Sequence, residues 1–490
     1  MRYLHLLFIC AIPAFAEVRL PALVSDHMVI QSGVPVRVWG WAAAGEAVTV
    51  KFRGQQAAAI ASTEGKWEAS LRPTLAGGPF EMAIEGSNTI QIKDVLVGEV
   101  WVASGQSNMA FTMKRIKGAQ DLLATAANSK IRLFNVARKS SGAPDDDVKG
   151  EWQVASAESA ENFSAVAYLF GRDLEGSMKV PFGMINSSVG GTPVEAWISG
   201  PSLTGDPSLL PAMTRWQKLM LDYPLLARRH EAAVKKWEAA GKQGRRPAEP
   251  VGPGHNHEPI RLYNGMIAPL TPYTIRGALW YQGENNAGRG DGDLYRRLLE
   301  TLIHDWRQQW GVGNFPFLWV QLPHFVRRDG DEGWPEVQEA MRNTLEIANT
   351  GMAITQDVGE ANDIHPTDKL PVAKRLALAA RKVAYGQDVL ASGPIFRQAT
   401  REGKALRLWF DYPGEGLRTA KGEPIEGLLV AGKNGQYKAA EAKIEGDSIV
   451  VSNGEVGYPV SVRYAWGGTV VGNLVNSIAI PASPFRVNAP

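Results

Sequence analysis

The sequence predicts an α/β protein in three consecutive parts, and three observations carry that expectation. Residues 17–94 and 388–490 each hold short stretches in which apolar and polar residues alternate between turn signals. Residues 95–387 instead hold short apolar runs that alternate with segments of helical period. A period of two marks half-buried strands, and strand–helix alternation marks a mostly parallel sheet that binds ligands at its strand carboxyl ends.

The first sixteen residues belong to none of these parts. Arg2 precedes an almost unbroken apolar run, and Ala14-Phe15-Ala16 forms a small-residue cleavage site. That is the pattern of a signal peptide cut after Ala16, so a secreted or periplasmic mature chain is expected. The run is too short to span a bilayer. Cys10 is the single cysteine and leaves with the signal, which excludes thiolate catalysis, a cysteine zinc site and disulfides from the mature protein. The formal charge of +2 gives no reason to expect nucleic acid or an anionic membrane as partner. No later stretch is long and apolar enough to span a membrane.

Residues 34–40, 47–52 and 89–93 alternate with a period of two, which suggests a small antiparallel sandwich over 17–94. The central part opens with a strand at 95–103. Further strands are expected at 181–186, 276–281, 316–321 and 351–356, with helices at 166–174 and ending near Tyr385. An insertion at 205–260 interrupts it. There Trp216, Leu219, Met220, Tyr223 and Leu226 recur at helical spacing ahead of Arg228, Arg229, Lys235 and Lys236, which reads as a solvated helix over an apolar stripe and a candidate lid. Residues 241–254 read as loop. Clean alternation at 405–410, 448–452 and 460–466 predicts a second sandwich over 388–490.

Ser107 follows the first central strand, on a sharp turn expected to lead through Asn108 and Met109 into a helix. A strand, a tight turn and a helix would lift a hydroxyl off the sheet edge and aim backbone N–H groups at what it attacks. Such a serine needs a base and donors for the developing oxyanion. Among eight histidines, His365 and His324 each follow an expected strand. In Asn362-Asp-Ile-His-Pro366, residues two apart on an extended chain point the same way, so Asp363 can hold one imidazole nitrogen and leave the other for Ser107. Pro366 keeps His365 out of helical geometry. The alternative is a loop histidine beside a helix-capping Asp. His255 and His257 could be two metal ligands, but no convincing third is evident and no metal is expected. Gly190-Gly191 and Gln282, at two further strand ends, suit an oxyanion hole.

These blocks resemble the sialate O-acetylesterase family of the SGNH hydrolases. Gly105-Gln-Ser-Asn-Met109, Gly190-Gly191-Thr192, Trp280-Tyr-Gln-Gly-Glu-Asn285 and Asp363-Ile-His-Pro366 are similar to its successive blocks. Further likeness runs from Ser25-Asp-His-Met28 to Pro481-Ala-Ser-Pro-Phe485. The resemblance implies a flavodoxin-like, three-layer catalytic domain with β-sandwich additions and an activity removing O-acetyl groups from sugars, sialic acids in particular, without cofactor. It implies Ser107 as nucleophile, His365 as base, and Ser107 N–H, a Gly190 or Gly191 N–H and Gln282 around the oxyanion. Gln282 stands where the wider superfamily usually has Asn, and Asp363 lies two rather than three residues before His365. A Ser–His dyad, or Asp357 or Glu284 as the orienting group, is therefore an alternative. Trp197, Trp280 and Tyr281 are candidate sugar-stacking faces, although aromatic residues more often fill cores. Gln106, Glu284, Asn285 and His324 complete the candidate substrate contacts. Two rivals are an acetylesterase for xylan or another glycan and a non-catalytic carbohydrate-binding protein on the same scaffold.

Overall fold

The computed structural model describes residues 17–326, 333–467 and 470–488. The signal peptide expected at 1–16 lies outside these residues.

One strand organises the molecule. After β1 (Val29–Gln31), β2 (Val36–Trp41), β3 (Ala47–Phe52), β4 (Gln55–Ile60), β5 (Lys66–Leu71) and β6 (Gly77–Glu85), the chain enters β7, which runs unbroken from Thr89–Gly105. The first half of β7 pairs antiparallel with β6, and β6 pairs in turn with β3 and β3 with β4. Its second half pairs in parallel with β10 (Phe182–Ser188) and β11 (Gly277–Tyr281). The expected break at 94/95 falls inside this one strand, whose partners change from β6 to β10 between Val97 and Glu99. Its burial alternates up to Asp94 and is continuous from Val95, where β1 pairs alongside and the strand enters the shared core.

The central sheet has the order β13-β12-β11-β7-β10-β8-β9, with β8 at Asn128–Asn135, β9 at Trp152–Ala155, β12 at Phe317–Val320 and β13 at Thr350–Ala353. All but β9 run parallel. The chain leaves β7 for one side, through β8 and β10, and then crosses to the other through β11, β12 and β13. The switch point lies at β7, where a doubly wound sheet opens its crevice.

Alternate residues of each strand feed different layers. On β11, Ala278 and Trp280 join one apolar cluster, while Leu279 and Tyr281 join the other. The second cluster lies under α1 (Ala165–Met178) and a later helix, Leu370–Val383, which pack against each other. The insertion forms α2 (Leu210–Ala239), whose only buried residue is Ala212, so the expected solvated helix is present and its apolar stripe is only half covered. Beyond it come α3 (Glu284–Ala287), α4 (Gly292–Trp310), α5 (Trp334–Asn343) and the helix Leu370–Val383, here α6. α4 and α5 pack together on the first cluster.

The C-terminal residues build two four-stranded antiparallel sheets around a third apolar cluster that includes Leu406, Val430, Val462 and Phe485. The link Gln321 Nε2 to Ser483 Oγ at 2.8 Å and the pair Arg486–Glu339 at 2.9 Å tie this region to the central one. No helix among the described residues is long and apolar enough to cross a membrane.

Candidate active site

Gly105 makes the turn possible. It ends β7 at φ +131°, and a Cβ there would lie 2.1 Å from the Tyr281 carbonyl oxygen. Only glycine lets β7 leave the sheet so close to β11. The chain then makes a single turn, with Met109 and Ala110 N–H donating to the Gln106 carbonyl. The helix expected after Ser107 is not there: a 3-10 segment follows at Met113–Arg115 and a short α-helical turn only at Ala119–Ala124. Ser107 therefore sits on a turn with no helix dipole behind it, and the donors beside it are individual N–H groups.

His365 Nε2 lies 2.8 Å from Ser107 Oγ, across 258 residues of sequence. Burial lowers the His365 pKa first, and the charges of Lys369 and Arg115 lower it further, against the raising effect of Asp363. The balance favours the neutral, proton-accepting imidazole. Phe111 stacks against the ring at 6.3 Å between centroids.

Asp363 approaches His365 but does not bond to the ring. Its Oδ1 accepts the His365 backbone N–H at 2.8 Å and stands 3.7 Å from Nδ1, beyond hydrogen-bond range. The other two candidates for the orienting role are engaged elsewhere. Asp357 holds Arg375 through both oxygens at 2.6 Å, and Glu284 accepts from Asn108 Nδ2 at 2.6 Å.

Gly190 passes directly against the serine: a Cβ on it would lie 3.3 Å from Ser107 Cβ. The N–H groups of Ser107, Gly190 and Gly191 have no acceptor among the described residues. Asn285 Nδ2 donates to the Gly191 carbonyl at 2.6 Å and its N–H to Gln106 Oε1 at 3.3 Å, so both residues brace the loop. His257, read from sequence only as a poor metal ligand, also lies here, 4.0 Å from the position a Gly191 Cβ would take. Burial, then His255 and Arg289, lower its pKa to about 4. Among the described residues no group of three or more His, Cys, Asp or Glu side chains is placed to hold a metal.

Several sequence expectations need correction. Gln282 is fully buried, and its amide donates to the Thr192 carbonyl at 3.2 Å and to Asn286 Oδ1 at 2.7 Å, with Oε1 accepting from Tyr295. Both amide hydrogens are engaged, so Gln282 braces the Thr192 loop rather than facing an oxyanion. Trp197, Trp280 and Tyr281 have no exposed surface and offer no face to a sugar. Trp280 packs edge-on between Trp197 at 6.1 Å and Trp306 at 5.9 Å. Gln106, Glu284 and His324 are buried too, leaving Asn285 as the half-exposed member of that set.

The sequence reading missed Lys369. It is fully buried beneath the serine turn, where its Nζ donates to Asn108 Oδ1 at 2.5 Å. A lysine four residues after His365, just ahead of an apolar helical period, gave no signal beyond that of a helix-start residue.

Comparison with known proteins gives a consistent picture. Residues 254–381 match a family model described as carbohydrate esterase, sialic acid-specific acetylesterase. Sialate O-acetylesterase of Rattus norvegicus is 34% identical over 421 residues, covering 77% of this chain and 76% of its own. The Mus musculus protein of the same name is 31% identical over 499 residues, covering 91% and 89%. A carbohydrate acetylesterase from Xanthomonas citri, known by crystal structure, aligns with a TM-score of 0.83 at 35% identity, over 96% of this chain and 99% of that one.

Proposed function

Since the chain belongs to the sialate O-acetylesterase family and is a carboxylic ester hydrolase, we propose that it removes O-acetyl groups from sialic acids through an acyl-serine intermediate. The 2.8 Å approach of His365 Nε2 to Ser107 Oγ is the observation that carries this reading. Ser107 attacks the acetyl carbonyl as His365 takes its proton, and the protonated imidazole returns that proton to the departing sugar hydroxyl. Water, deprotonated by His365, then releases acetate and restores the serine. The N–H groups of Ser107 and Gly190, with Gly191 beside them, are the oxyanion donors. Asp363 acts on His365 through its charge and through the loop it braces, so the working pair is Ser107 and His365.

Arg115 favours an anionic sugar. It is exposed, its guanidinium lies 4.2 Å from the Phe111 ring centroid, and it makes no ion pair with a carboxylate among the described residues. A sialate carboxylate can meet this cation next to the base, whereas an acetylated xylan gains nothing from it. Export with cleavage after Ala16, and units at 17–94, 95–387 and 388–490 with β7 common to the first two, belong to the same reading.

Acetate release from O-acetylated sialic acids, acetylated xylan oligosaccharides and p-nitrophenyl acetate tests it. Ser107→Ala and His365→Ala are each expected to lower kcat by about 10⁴-fold or more with folding intact. Faster turnover of xylan esters would replace sialate by xylan as substrate. A folded wild type that binds sugars and turns over none of these esters would make the chain a binding protein.

A further inference from the structure

Beneath Ser107 three side chains form a buried chain that the acyl-transfer steps above do not use. Asn108, fully buried, occupies its centre. Its Oδ1 accepts from Lys369 Nζ at 2.5 Å, while its Nδ2 donates to Glu284 Oε1 at 2.6 Å and to the Ile364 carbonyl at 2.9 Å. Lys369 has no exposed surface and Glu284 almost none. Burying an ammonium and a carboxyl group is expensive unless they are paired and hydrogen-bonded, so a fold that keeps both has a use for them. The position of the chain suggests what the use is. Asn108 follows Ser107, Ile364 precedes His365, and Lys369 lies four residues beyond it, so one amide joins the nucleophile turn to both ends of the base loop.

We propose that Glu284, Asn108 and Lys369 are positioning residues: Asn108 fixes the Ser107–His365 separation, and the Lys369 ammonium keeps His365 in its free-base form. The inference rests on the roles of Ser107 and His365 given above. Lys369 acts as a cation because its Nζ, besides donating to Asn108, faces two aromatic rings, 5.0 Å from the Phe111 centroid and 5.3 Å from that of Tyr281. The charged groups around it are Glu284 on the β11 side, Glu360 and Asp363 on the base loop and Arg115 on the 3-10 segment. Around His365 they are Asp363, Lys369 and Arg115, and the Phe111 ring ties Lys369 to the base, stacking on His365 at 6.3 Å while Lys369 Nζ lies 5.0 Å from its centroid. Burial brings the Lys369 pKa down to about 7, so the ammonium persists through the acidic range in which His365 must stay unprotonated. A positive charge there disfavours the imidazolium, and its removal raises the His365 pKa.

The test is the pH dependence of kcat/KM for p-nitrophenyl acetate, with kcat and KM resolved and thermal melting recorded. Lys369→Met removes charge and hydrogen bond. It is expected to lower kcat by about 100-fold, the effect of a misplacement near 1 Å, with KM little changed and the acid limb moved to higher pH. Lys369→Gln retains a donor for Asn108 without charge; it should restore most of kcat and still show the shifted limb, and it decides the matter if the Met variant does not fold. Folded variants of both kinds with the wild-type acid limb would overturn the electrostatic role. Unchanged kcat in folded Asn108→Ala would overturn the positioning role. Ser107→Ala is the control: activity persisting in it defeats the catalytic assignment itself, whereas activity lost in it and untouched by Lys369 and Asn108 substitutions defeats only the network.

Discussion

The carboxyl ends of β7 and β11 lie side by side, with Trp280 opposite Ser104 and Tyr281 opposite Gly105. Both run straight into polar residues, Gln106-Ser107-Asn108 and Gln282-Gly283-Glu284, and the sequence assigned both to the site. Only the first opens. After β7 the chain turns without a helix above it, and Ser107 stays partly exposed beside Gly190. After β11 it is capped at once. A Cβ on Gly283 would lie 2.7 Å from Met341 on α5, and the Tyr295 hydroxyl on α4 donates to Gln282. The lesson is that the helices that follow a strand end, more than its own polar residues, decide whether it presents chemistry or supports it.

Substitutions on either side can break that distinction. The largest effect expected is on the closed side. Trp280→Ala removes a fully buried indole from a cluster with Trp197 and Trp306 and should destabilise the protein by about 3–5 kcal/mol in denaturant unfolding. The closeness of β11 to Ser107 makes some activity loss unavoidable, so stability is the deciding measurement. A folded variant of near wild-type stability whose KM alone rises would return Trp280 to the substrate site.

Gly190→Ala should do the reverse on the open side. Gly190 does not have a positive φ, so alanine suits its backbone, yet the added methyl meets Ser107 Cβ at 3.3 Å. Displacing one oxyanion donor is expected to lower kcat by about 10²-fold, with melting little changed. A loss of stability without a loss of kcat would show that Gly190 is structural like its neighbours across the sheet.

These contrasts also mark what the sequence could disclose. Apolar runs located β10, β11, β12, β13 and the end of β7 to within a few residues but gave no sign of β8 or β9. Ser107 and His365 stood out because one follows a strand at once and the other sits in Asp-Ile-His-Pro after another. Periodicity says nothing about partners, so it could not show that β7 crosses from one β-region into the central sheet without a break. An aromatic or amide residue beside a motif looks the same in sequence whether it faces a sugar or a tryptophan cluster, which is why Trp197, Trp280, Tyr281 and Gln282 were misplaced. Lys369 was hidden for a related reason, since a lysine carries no sequence mark of burial, and only the tertiary fold sets it under Asn108.

Asp363 gives the smallest expected effect and the finest distinction, because it lies on the open side and, in the proposed mechanism, serves mainly as a support. Asp363→Asn keeps an oxygen to accept the His365 N–H and removes only the charge. The carboxylate is half exposed and 3.7 Å from Nδ1, so its loss should lower kcat/KM by no more than roughly fivefold, the worth of an exposed ion pair near 1 kcal/mol. A triad aspartate bonded to the imidazole would instead take away about 10⁴-fold. The pH profile adds a sign. Asp363 raises the His365 pKa, so its neutralisation lowers that pKa and moves the acid limb to lower pH, opposite to the shift expected on removing the Lys369 charge. A 10⁴-fold loss in a folded Asp363→Asn would mean that the carboxylate closes onto Nδ1 during turnover, and this residue would then pass from support to catalysis.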